Sequence, residues 1–294
     1  MSPQTKKILF VVNPISGDLD KEDVKEQISR FCQECNQSAI FYQTTGQDDR
    51  QAIQSLMARE KPEAVVAAGG DGTVNLVGTL LTGTTTPLGI LPLGSGNGLA
   101  KDLGIPQGFE EALAVINQGK IRPMDTLQIN GMPSLHLSDL GFNALVVERF
   151  TEADTRGPGT YAWSVAREYL GYEPKAYEII TDKEHYQGKA FMVTIANANM
   201  FGSNATINPE GELDDGKFEI CILEEFPKLE GIRILYQLYR SDITQSPYNR
   251  VFTCKRAVIH NLERELAQID GEPAGTPDQL TVSILPRSLK VLLP

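Results

Sequence analysis

The chain has 294 residues, a length that can bury a sizeable core and favours two domains over one. Hydrophobic residues make up 41% and charged residues 22%, which excludes a disordered or low-complexity chain. The formal net charge is -11, so phosphate backbones should repel the chain and we expect no nucleic-acid partner. A membrane partner is compatible with this charge only through brief contact at a local apolar or basic surface.

The first apolar run is too short to carry the chain across a membrane. Lys6 and Lys7 precede it, and Asn13 and Pro14 end it. A membrane span needs about 20 apolar residues, and no later segment approaches that length. The 4 cysteines form no disulfide framework, which fits a reducing compartment. We therefore expect a cytoplasmic protein.

Residues 6 to 125 alternate short apolar runs with longer amphipathic stretches. The runs KILFVV, AIFY and AVVAA are separated by predicted helices near residues 20 to 35 and 48 to 60, which is a βαβαβ pattern. Because the runs lack the two-residue alternation of half-exposed strands, we predict a Rossmann-like parallel sheet covered on both faces. Phosphates usually bind at the carboxyl ends of such strands.

The second part of the chain changes to predicted strands and hairpins, with helices only near residues 160 to 170 and 228 to 240. The predicted fold class is therefore α/β. It combines an N-terminal Rossmann-like domain at 1 to 125 with a C-terminal, mainly antiparallel β-sandwich domain at 126 to 283. We expect the last segment, 284 to 294, to rejoin the first domain.

Three loops rich in glycine and small polar residues follow predicted strands of the first domain. They are Asn13-Pro14-Ile15-Ser16-Gly17, Gly69-Gly70-Asp71-Gly72-Thr73 and Gly94-Ser95-Gly96-Asn97-Gly98. Glycine lets a backbone approach phosphate oxygens closely, and N–H groups at a helix N-terminus attract anions. One such loop would fit a tight strand-to-helix connection equally well. Three at the same sheet edge favour a site for a nucleotide triphosphate.

Four stretches carry a resemblance to a known family, although neither standard glycine motif for nucleotides is present. In chain order they are VVNPISG (11 to 17), AAGGDGTVN (67 to 75), LPLGSGNGLAKDLGIP (91 to 106) and the pair LDDG (213 to 216) with IDGE (269 to 272). With these motifs the chain resembles the diacylglycerol kinase and sphingosine kinase catalytic family, whose superfamily includes NAD kinases. LDDG followed by IDGE points to the lipid kinase branch.

The resemblance implies an ATP-dependent kinase that phosphorylates a lipid hydroxyl with Mg²⁺ as cofactor. Phosphoryl transfer needs positioning, charge neutralisation by a metal ion and a group that takes the hydroxyl proton. Asp71 is expected to be catalytic, because a carboxylate in a phosphate turn repels ATP unless it binds Mg²⁺ or a basic partner. The residues expected to bind ATP are Asn13, Pro14, Ile15, Ser16, Gly17, Thr44, Gly69, Gly70, Asp71, Gly72, Thr73, Val74, Asn75, Ser95, Gly96 and Asn97.

The second domain is expected, by the same resemblance, to supply the acceptor side. Glu272 would be the general base that takes the proton of the lipid hydroxyl, with Asp270 as its catalytic neighbour. A second Mg²⁺ would lie on the Asp215 carboxylate and the backbone carbonyls of Glu212 and Lys217, and would hold the loop that faces the nucleotide. On composition alone, the alternatives are an exposed turn glutamate and a simple Asp-Gly turn.

Two positions depart from the family pattern. Leu76 stands where the family usually has glutamate, and Gly98 stands where many bacterial members have aspartate. Leu76 can be explained as an extension of the buried face of the helix that begins after Gly72. The loss of two carboxylates keeps open a regulatory protein that binds lipid or nucleotide without turnover. An NAD kinase-like nucleotide kinase is the other alternative, and it leaves LDDG and IDGE less well matched.

The sequence leaves the acceptor lipid open. Residues 142 to 172 are our prediction for the wall of the lipid site, because they contain Tyr161, Trp163, Tyr169 and Tyr172. An aromatic core is the alternative. We expect transient contact with a membrane, and the oligomeric state is open, a homodimer included.

Overall fold

The computed structural model describes residues 6–14, 21–152, 165, 167–201 and 204–294. Contacts divide the chain into two units. Unit 1 is Met1–Met124 with Arg287–Pro294, and unit 2 is Asp125–Pro286. Within the described part of the chain, no helix is both long and apolar enough to cross a bilayer. The ligand roles assigned above to the two domains stay predictions.

Unit 1 is an α/β unit on parallel strands. Its strands are β1 (Lys6–Val12), β2 (Gln37–Gln43), β3 (Ala64–Gly69) and β4 (Leu88–Pro92). Its helices are α1 (Lys21–Glu34), α2 (Asp49–Glu60), α3 (Asp71–Leu81), α4 (Gly98–Asp102) and α5 (Phe109–Gln118). The strands pair in the order β2-β1-β3-β4, parallel throughout. All of β3 and β4 is buried, which confirms the predicted parallel sheet with two covered faces.

Unit 2 is mainly antiparallel β-structure. The strands from this part of the chain are β5 (Lys120–Ile129), β6 (Met132–Ser134), β7 (Leu137–Gly141), β8 (Lys175–Thr181), β9 (His185–Ala196), β10 (Phe218–Glu224), β11 (Asn249–Cys254), β12 (Arg256–Asn261), β13 (Ala267–Ile269), β14 (Glu272–Pro273) and β15 (Gln279–Leu293). Its helices include α6 (Phe142–Glu152) and α7 (Gly231–Tyr239), residues 167 to 171 are helical as well, and 3₁₀ turns lie at Lys228–Glu230 and Ile243–Gln245. β15 pairs antiparallel with β12 at its start, and its end, which belongs to unit 1, pairs parallel with β4.

The long strand β9 explains why unit 2 has two hydrophobic cores. It pairs with β8 through its first half and with β7 through its second half, while β10 pairs along the opposite edge. Val193 and Ile195 belong to the first core, whereas Met192 and Ala196 belong to the second. Successive side chains of a strand point to opposite faces, so β9 contributes to both cores. This arrangement confirms the predicted β-sandwich.

The helices of unit 2 follow the prediction only in part. α7 confirms the helix predicted near 228 to 240, and the described residues of the segment predicted near 160 to 170, which are 165 and 167 to 170, are helical as well. The prediction that no other helix occurs here was wrong, because residues 142 to 152 form α6. The run FNALVV resembles a strand in composition. However, Gly141 turns the chain with a φ of 92°, and Asn143 in the first turn of α6 donates a hydrogen bond to Asp139.

A buried carboxylate fixes the loop between β2 and α2. Asp49 accepts hydrogen bonds from the Tyr42 hydroxyl (2.7 Å), the Thr45 amide (2.9 Å) and the Gly46 amide (2.8 Å). Burial by itself raises the pKa of Asp49, but the hydrogen bonds from Thr45, Tyr42 and Gly46 outweigh it and hold the pKa below its usual value. The same loop begins with Thr44, so this carboxylate fixes the backbone on which a predicted ATP contact lies.

We expect Asp49→Asn to lower the free energy of unfolding by about 1–3 kcal/mol at pH 7, because buried donors lose a charged acceptor. A depressed pKa stabilises the fold above the unfolded-state pKa, and this stability is lost as the pH falls through the folded-state pKa. The difference between the two proteins in urea unfolding should therefore shrink as the pH falls below about 4. The neighbouring Asp48 makes no side-chain cap hydrogen bond. Asp48→Asn should stay within about 0.5 kcal/mol of the parent protein, and an equal effect of both variants would contradict the assignment.

Candidate active site

The carboxyl ends of the parallel strands bring the predicted phosphate loops of unit 1 together. The Asn13 amide donates to Ala68 O (3.1 Å) and the Thr44 amide to Val12 O (3.0 Å). The Leu93 amide donates to Gly69 O (2.9 Å). The loops after β1, β2, β3 and β4 are thus tied to one another at one edge of the sheet. Ile15, Ser16 and Gly17 lie outside the described residues, so their predicted contacts stay predictions.

The loops after β3 and β4 pack directly against each other through glycine backbones. A Cβ atom added to Gly94 would lie 2.5 Å from the Cα of Gly70, a distance that real Cβ atoms do not adopt. Asn97, which has a left-handed φ of 53°, holds the loop after β4 through its side chain. Its Oδ1 accepts from the Gly94 amide (3.1 Å), and its Nδ2 donates to Gly94 O (2.8 Å) and to Gln107 Oε1 (3.1 Å). The Asn97 side chain is therefore committed to the loop, which leaves its backbone for a ligand.

Gly72 differs from these glycines because no contact within the described part of the chain requires a glycine there. It is an exposed residue in the first turn of α3, and an added Cβ would meet no atom within 4 Å. Its φ is outside the left-handed region. A glycine that neither packs closely nor adopts an unusual conformation is explained by a ligand that approaches its backbone. The N-cap residue of α3 is Gly70, which has no side chain to cap the helix, so the first N–H groups of the helix suit an anion.

Two side-chain oxygens beside Gly72 are buried without a partner among the described residues. They are Oδ1 of Asp71 and Oδ1 of Asn75, both on α3. Buried oxygens of this kind normally have a hydrogen-bond or metal partner. A carboxylate and an amide oxygen are ligands that Mg²⁺ accepts. The residues of this turn therefore fit a nucleotide with its metal ion.

The remaining predicted residues of unit 1 face in different directions. Thr73 and Val74 are buried, and the Thr73 side chain fills the space where a Cβ of Gly69 would lie. Ser95 is exposed. Thr73 and Val74 therefore present no side chain to a ligand, and their amides already donate to Gly70 O (3.0 and 3.1 Å), whereas Ser95 has a side chain available. Leu76 is half-buried and Gly98 is buried as the first residue of α4, so neither position supplies the carboxylate that many relatives have there.

In unit 2 the IDGE motif forms a tight hairpin between β13 and β14. Asp270 and Gly271 are the two turn residues, with φ values of 49° and 86°. These values are typical of a type I′ turn, for which Asp-Gly is a preferred pair. Glu272 follows as the first residue of β14, opposite Ile269, and it is exposed. The hairpin thus presents the Glu272 carboxylate on a conformationally fixed backbone.

The Asp270 carboxylate is occupied by hydrogen bonds within unit 2. It accepts from the Leu135 amide (2.7 Å), the His136 amide (2.9 Å) and the Ser134 hydroxyl (2.8 Å). Burial raises the pKa of this group, and the hydrogen bonds from Leu135 and His136 oppose that rise. These contacts favour a role for Asp270 in positioning the hairpin, and they leave little of its carboxylate for a direct contact with the substrate.

Two residues that support the hairpin gave no signal in the sequence. The Gly271 amide donates to Oε1 of Gln268, and Nε2 of Gln268 donates to the Asp139 carboxylate. Asp139 is fully buried and also accepts from Thr194 Oγ1 and Asn143 Nδ2. Burial raises the pKa of Asp139, and its three hydrogen bonds work against this. Because Gln268 and Asp139 belong to no recognisable motif, only their contacts reveal that they hold the turn before Glu272.

The LDDG loop is held by an ion pair and a second carboxylate. Asp215 accepts from the Lys217 amide (2.9 Å) and from Lys217 Nζ (2.9 Å). The Gly216 amide donates to Asp125 Oδ2 (2.6 Å). Among the described residues, no three His, Cys, Asp or Glu side chains come together as metal ligands. The Lys217 ammonium thus pairs with the Asp215 carboxylate. The predicted ligand set, which uses the Asp215 carboxylate and the backbone carbonyls of Glu212 and Lys217, stays a prediction.

The predicted aromatic wall of the lipid site contributes to the second core of unit 2. The Tyr172 ring meets Phe142 at a centroid distance of 5.5 Å and Phe191 at 5.2 Å. Tyr169 packs against the same two phenylalanines at 6.1 and 5.8 Å. These contacts match the alternative of an aromatic core. Tyr161 and Trp163 lie outside the described residues.

Comparison with known proteins agrees with this architecture. Residues 7–129 match the family described as the diacylglycerol kinase catalytic domain, and residues 138–293 match the YegS C-terminal NAD kinase beta sandwich-like domain. The diacylglycerol kinase of Bacillus subtilis is 28% identical, with 92% of this chain and 91% of that protein covered. The protein named "Probable lipid kinase YegS" in Salmonella arizonae is 27% identical, with 97% and 95% covered.

The fold is also that of a solved structure. The crystal structure of a diacylglycerol kinase from Bacillus anthracis aligns with a TM-score of 0.78 at 19% identity, and the match covers 100% of this chain and 98% of that chain. The sheet, the glycine loops and the sandwich define a kinase of two-part architecture. This chain belongs to the family of the YegS C-terminal NAD kinase beta sandwich-like domain, its first part matches the diacylglycerol kinase catalytic domain, and it is a lipid kinase. The resemblance read from the four motifs is thereby confirmed.

We expect Gly72→Ala and Gly94→Ala to have opposite consequences. Alanine at position 72 meets no neighbour and favours a helix by roughly 0.5–1 kcal/mol over glycine, so the melting temperature should be unchanged or higher. The added Cβ should keep a phosphate from the backbone at position 72. The affinity of this variant for Mg-ATP should therefore fall at least about tenfold, the scale of one lost charge-assisted hydrogen bond. Gly94→Ala should instead lower the melting temperature, because its Cβ collides with Gly70. Calorimetric titration and thermal unfolding of both variants make the test, and parent-like ATP binding by Gly72→Ala would remove Gly72 from the phosphate site.

Proposed function

We propose that the protein transfers the γ-phosphate of ATP to the hydroxyl group of a diacylglycerol. The observation that carries this proposal is the first turn of α3, where the buried Asp71 Oδ1 has no partner among the residues that the structure describes and a Cβ added to Gly72 would meet no atom of them. The relative from Bacillus subtilis is named a diacylglycerol kinase, which supports diacylglycerol over a sphingoid-like alcohol as the acceptor.

The donor half of the reaction is assigned to unit 1. The uncapped N–H groups at the start of α3 would hold phosphate oxygens, together with backbone N–H groups of the loop that Asn97 clasps. Asn13 and Thr44 lie at the same sheet edge and would contact the remainder of the nucleotide. A Mg²⁺ ion bound with ATP would neutralise charge on the transferred phosphoryl group. Asp71 and Asn75 would orient this metal-bound nucleotide through their buried oxygens.

The acceptor half is assigned to the hairpin of unit 2. A lipid hydroxyl is a poor nucleophile, and the exposed Glu272 carboxylate would accept its proton as the new bond to phosphorus forms. Gln268 fixes the Gly271 amide immediately before Glu272. Asp270 fixes the other side of the turn through Leu135 and His136. Glu272 is thus the group that we assign to proton transfer, and its neighbours keep its backbone in one conformation.

Asp71→Asn should reduce turnover by about a hundredfold or more while the fold is kept, because it removes a charge from the phosphate site. The assay is transfer of labelled phosphate from ATP, with Mg²⁺ or with EDTA, to diacylglycerol, sphingosine and NAD in parallel. We expect product with diacylglycerol and Mg²⁺. Asp48→Asn, an exposed carboxylate of the same unit, is the matched control and should keep parent activity. Product with NAD alone would replace the proposal by a nucleotide kinase, and Asp71→Asn at the parent rate would remove Asp71 from the mechanism.

Glu272→Gln should bind ATP like the parent protein yet transfer phosphate at least roughly a hundredfold more slowly, the usual scale for loss of a positioned base. Glu184→Gln changes an exposed glutamate in the turn between β8 and β9 and serves as the control. Single-turnover rates and ATP affinity would be measured for both variants. A rate for Glu272→Gln equal to that of Glu184→Gln would leave the proton acceptor unassigned.

A further inference from the structure

Helix α7 carries apolar side chains on both of its faces. Ile234 and Leu238 pack into the second core of unit 2. An amphipathic helix of a globular protein normally presents polar residues on its other side. Here the other side, together with Leu229 in the 3₁₀ turn before the helix, exposes large hydrophobic side chains, and we call these residues the outer face of α7. They are Leu229 (89% exposed), Ile232 (79%), Leu235 (54%), Tyr236 (64%) and Tyr239 (55%).

Contacts at its N-terminal end hold this helix in place. Lys228 Nζ donates to the backbone oxygens of Tyr169 and Tyr172, and lies 5.3 Å from the centre of the Tyr169 ring. The Tyr169 hydroxyl donates to Lys228 O (2.5 Å). A Cβ on Gly231 would lie 1.9 Å from that hydroxyl, so the first turn of α7 fits closely against Tyr169. The outer face is therefore presented by a fixed helix.

The size of the outer face argues against a second protein chain as its main partner. Large hydrophobic side chains exposed singly are normal, but five on one short helix form an apolar patch on the order of a few hundred Å². A stable protein–protein interface buries roughly 800 Å² on each partner. The patch is too small for a stable dimer and large enough for shallow insertion into a lipid surface.

Two arginines beside the outer face supply charge that suits lipid headgroups. Arg233 lies three residues before Tyr236, and Arg240 lies four residues after it, so both are neighbours of the patch on the helix. Each side chain is 64% exposed. Their nearest carboxylates, Glu230 and Asp242, are 3.8 and 3.9 Å away, which is the outer limit of an ion pair. Arginine stems can lie along acyl chains while the guanidinium groups reach phosphates, and tyrosine favours the same interface.

We propose that the outer face of α7 docks onto the surface of a phospholipid bilayer. Leu229, Ile232 and Tyr236 enter the headgroup region, and Arg233 and Arg240 contact lipid phosphates. The inference rests on the proposed function in one respect, since an enzyme with a diacylglycerol acceptor must reach a membrane. A protein of net charge -11 is repelled by an anionic bilayer elsewhere on its surface, so a local patch of this kind decides the contact.

The test is co-sedimentation with vesicles of phosphatidylcholine, with and without phosphatidylglycerol. The double variant Ile232→Gln with Tyr236→Gln should bind at least about tenfold less than the parent, because it removes inserted apolar surface. The matched control Ile180→Gln with Leu262→Gln changes hydrophobic residues that are 42% and 53% exposed elsewhere, and should bind like the parent. Arg233→Gln with Arg240→Gln should lose binding mainly to vesicles that contain phosphatidylglycerol. All variants should keep the parent melting temperature, since the changed side chains are exposed.

Several outcomes would overturn the proposal. One is that the parent protein does not sediment with vesicles. Another is that Ile232→Gln with Tyr236→Gln sediments as well as the control Ile180→Gln with Leu262→Gln. A parent dimer that Ile232→Gln with Tyr236→Gln converts to a monomer, with vesicle binding unchanged, would assign the outer face to a second copy. Turnover with a short-chain, water-dispersed diacylglycerol should be equal in all variants. Failure of the parent in that assay would reject the proposed function, whereas the vesicle result judges the docking surface separately.

Discussion

The donor side of this protein depends on one close approach, between the backbones of Gly70 and Gly94. Neither residue has a Cβ, so the loops after β3 and β4 can lie against each other where any side chain would collide. The Asn97 side chain then closes the second loop on itself through two hydrogen bonds with Gly94. Backbone N–H groups that are held in place in this way need no reorganisation when an anion binds. Gly70 and Gly94 thus meet the packing demands, and Gly72 is left for the phosphate contact that we propose.

The proposed acceptor side depends on two carboxylates that accept several hydrogen bonds from neighbouring residues. Burying a carboxylate is costly unless hydrogen bonds replace its water. Asp139 and Asp270 each have three donors, and both lie next to the hairpin that ends in Glu272. The result is a rigid turn on which a single carboxylate is exposed. Asp71 shows the reverse arrangement, since one of its oxygens is buried with no donor in the described part of the chain.

Helix α7 likewise has one side that contacts other residues and one side that is exposed. Its inner face completes a core, and its outer face leaves five large hydrophobic side chains in water. Such exposure is unfavourable for a protein that only meets water, but it suits an enzyme whose acceptor lies in a membrane. In the docking that we propose, the apolar contact and the flanking arginines would let a chain with a net charge of -11 approach lipid. The proposed docking thus gives a physical reason for the exposed hydrophobic side chains of α7.

The sequence by itself determined the parallel sheet, the glycine loops at its edge and the family. Those features rest on local patterns, since strand hydrophobicity, turn glycines and the order of short motifs can be read along the chain. Only the tertiary structure decided that β9 serves two cores, that residues 142 to 152 form a helix and that Gln268 and Asp139 hold the IDGE turn. It also showed that Lys217 pairs with Asp215 and that Tyr172 belongs to a core. Each of these depends on contacts between distant residues, and burial and hydrogen bonding at such contacts leave no periodic mark on the sequence.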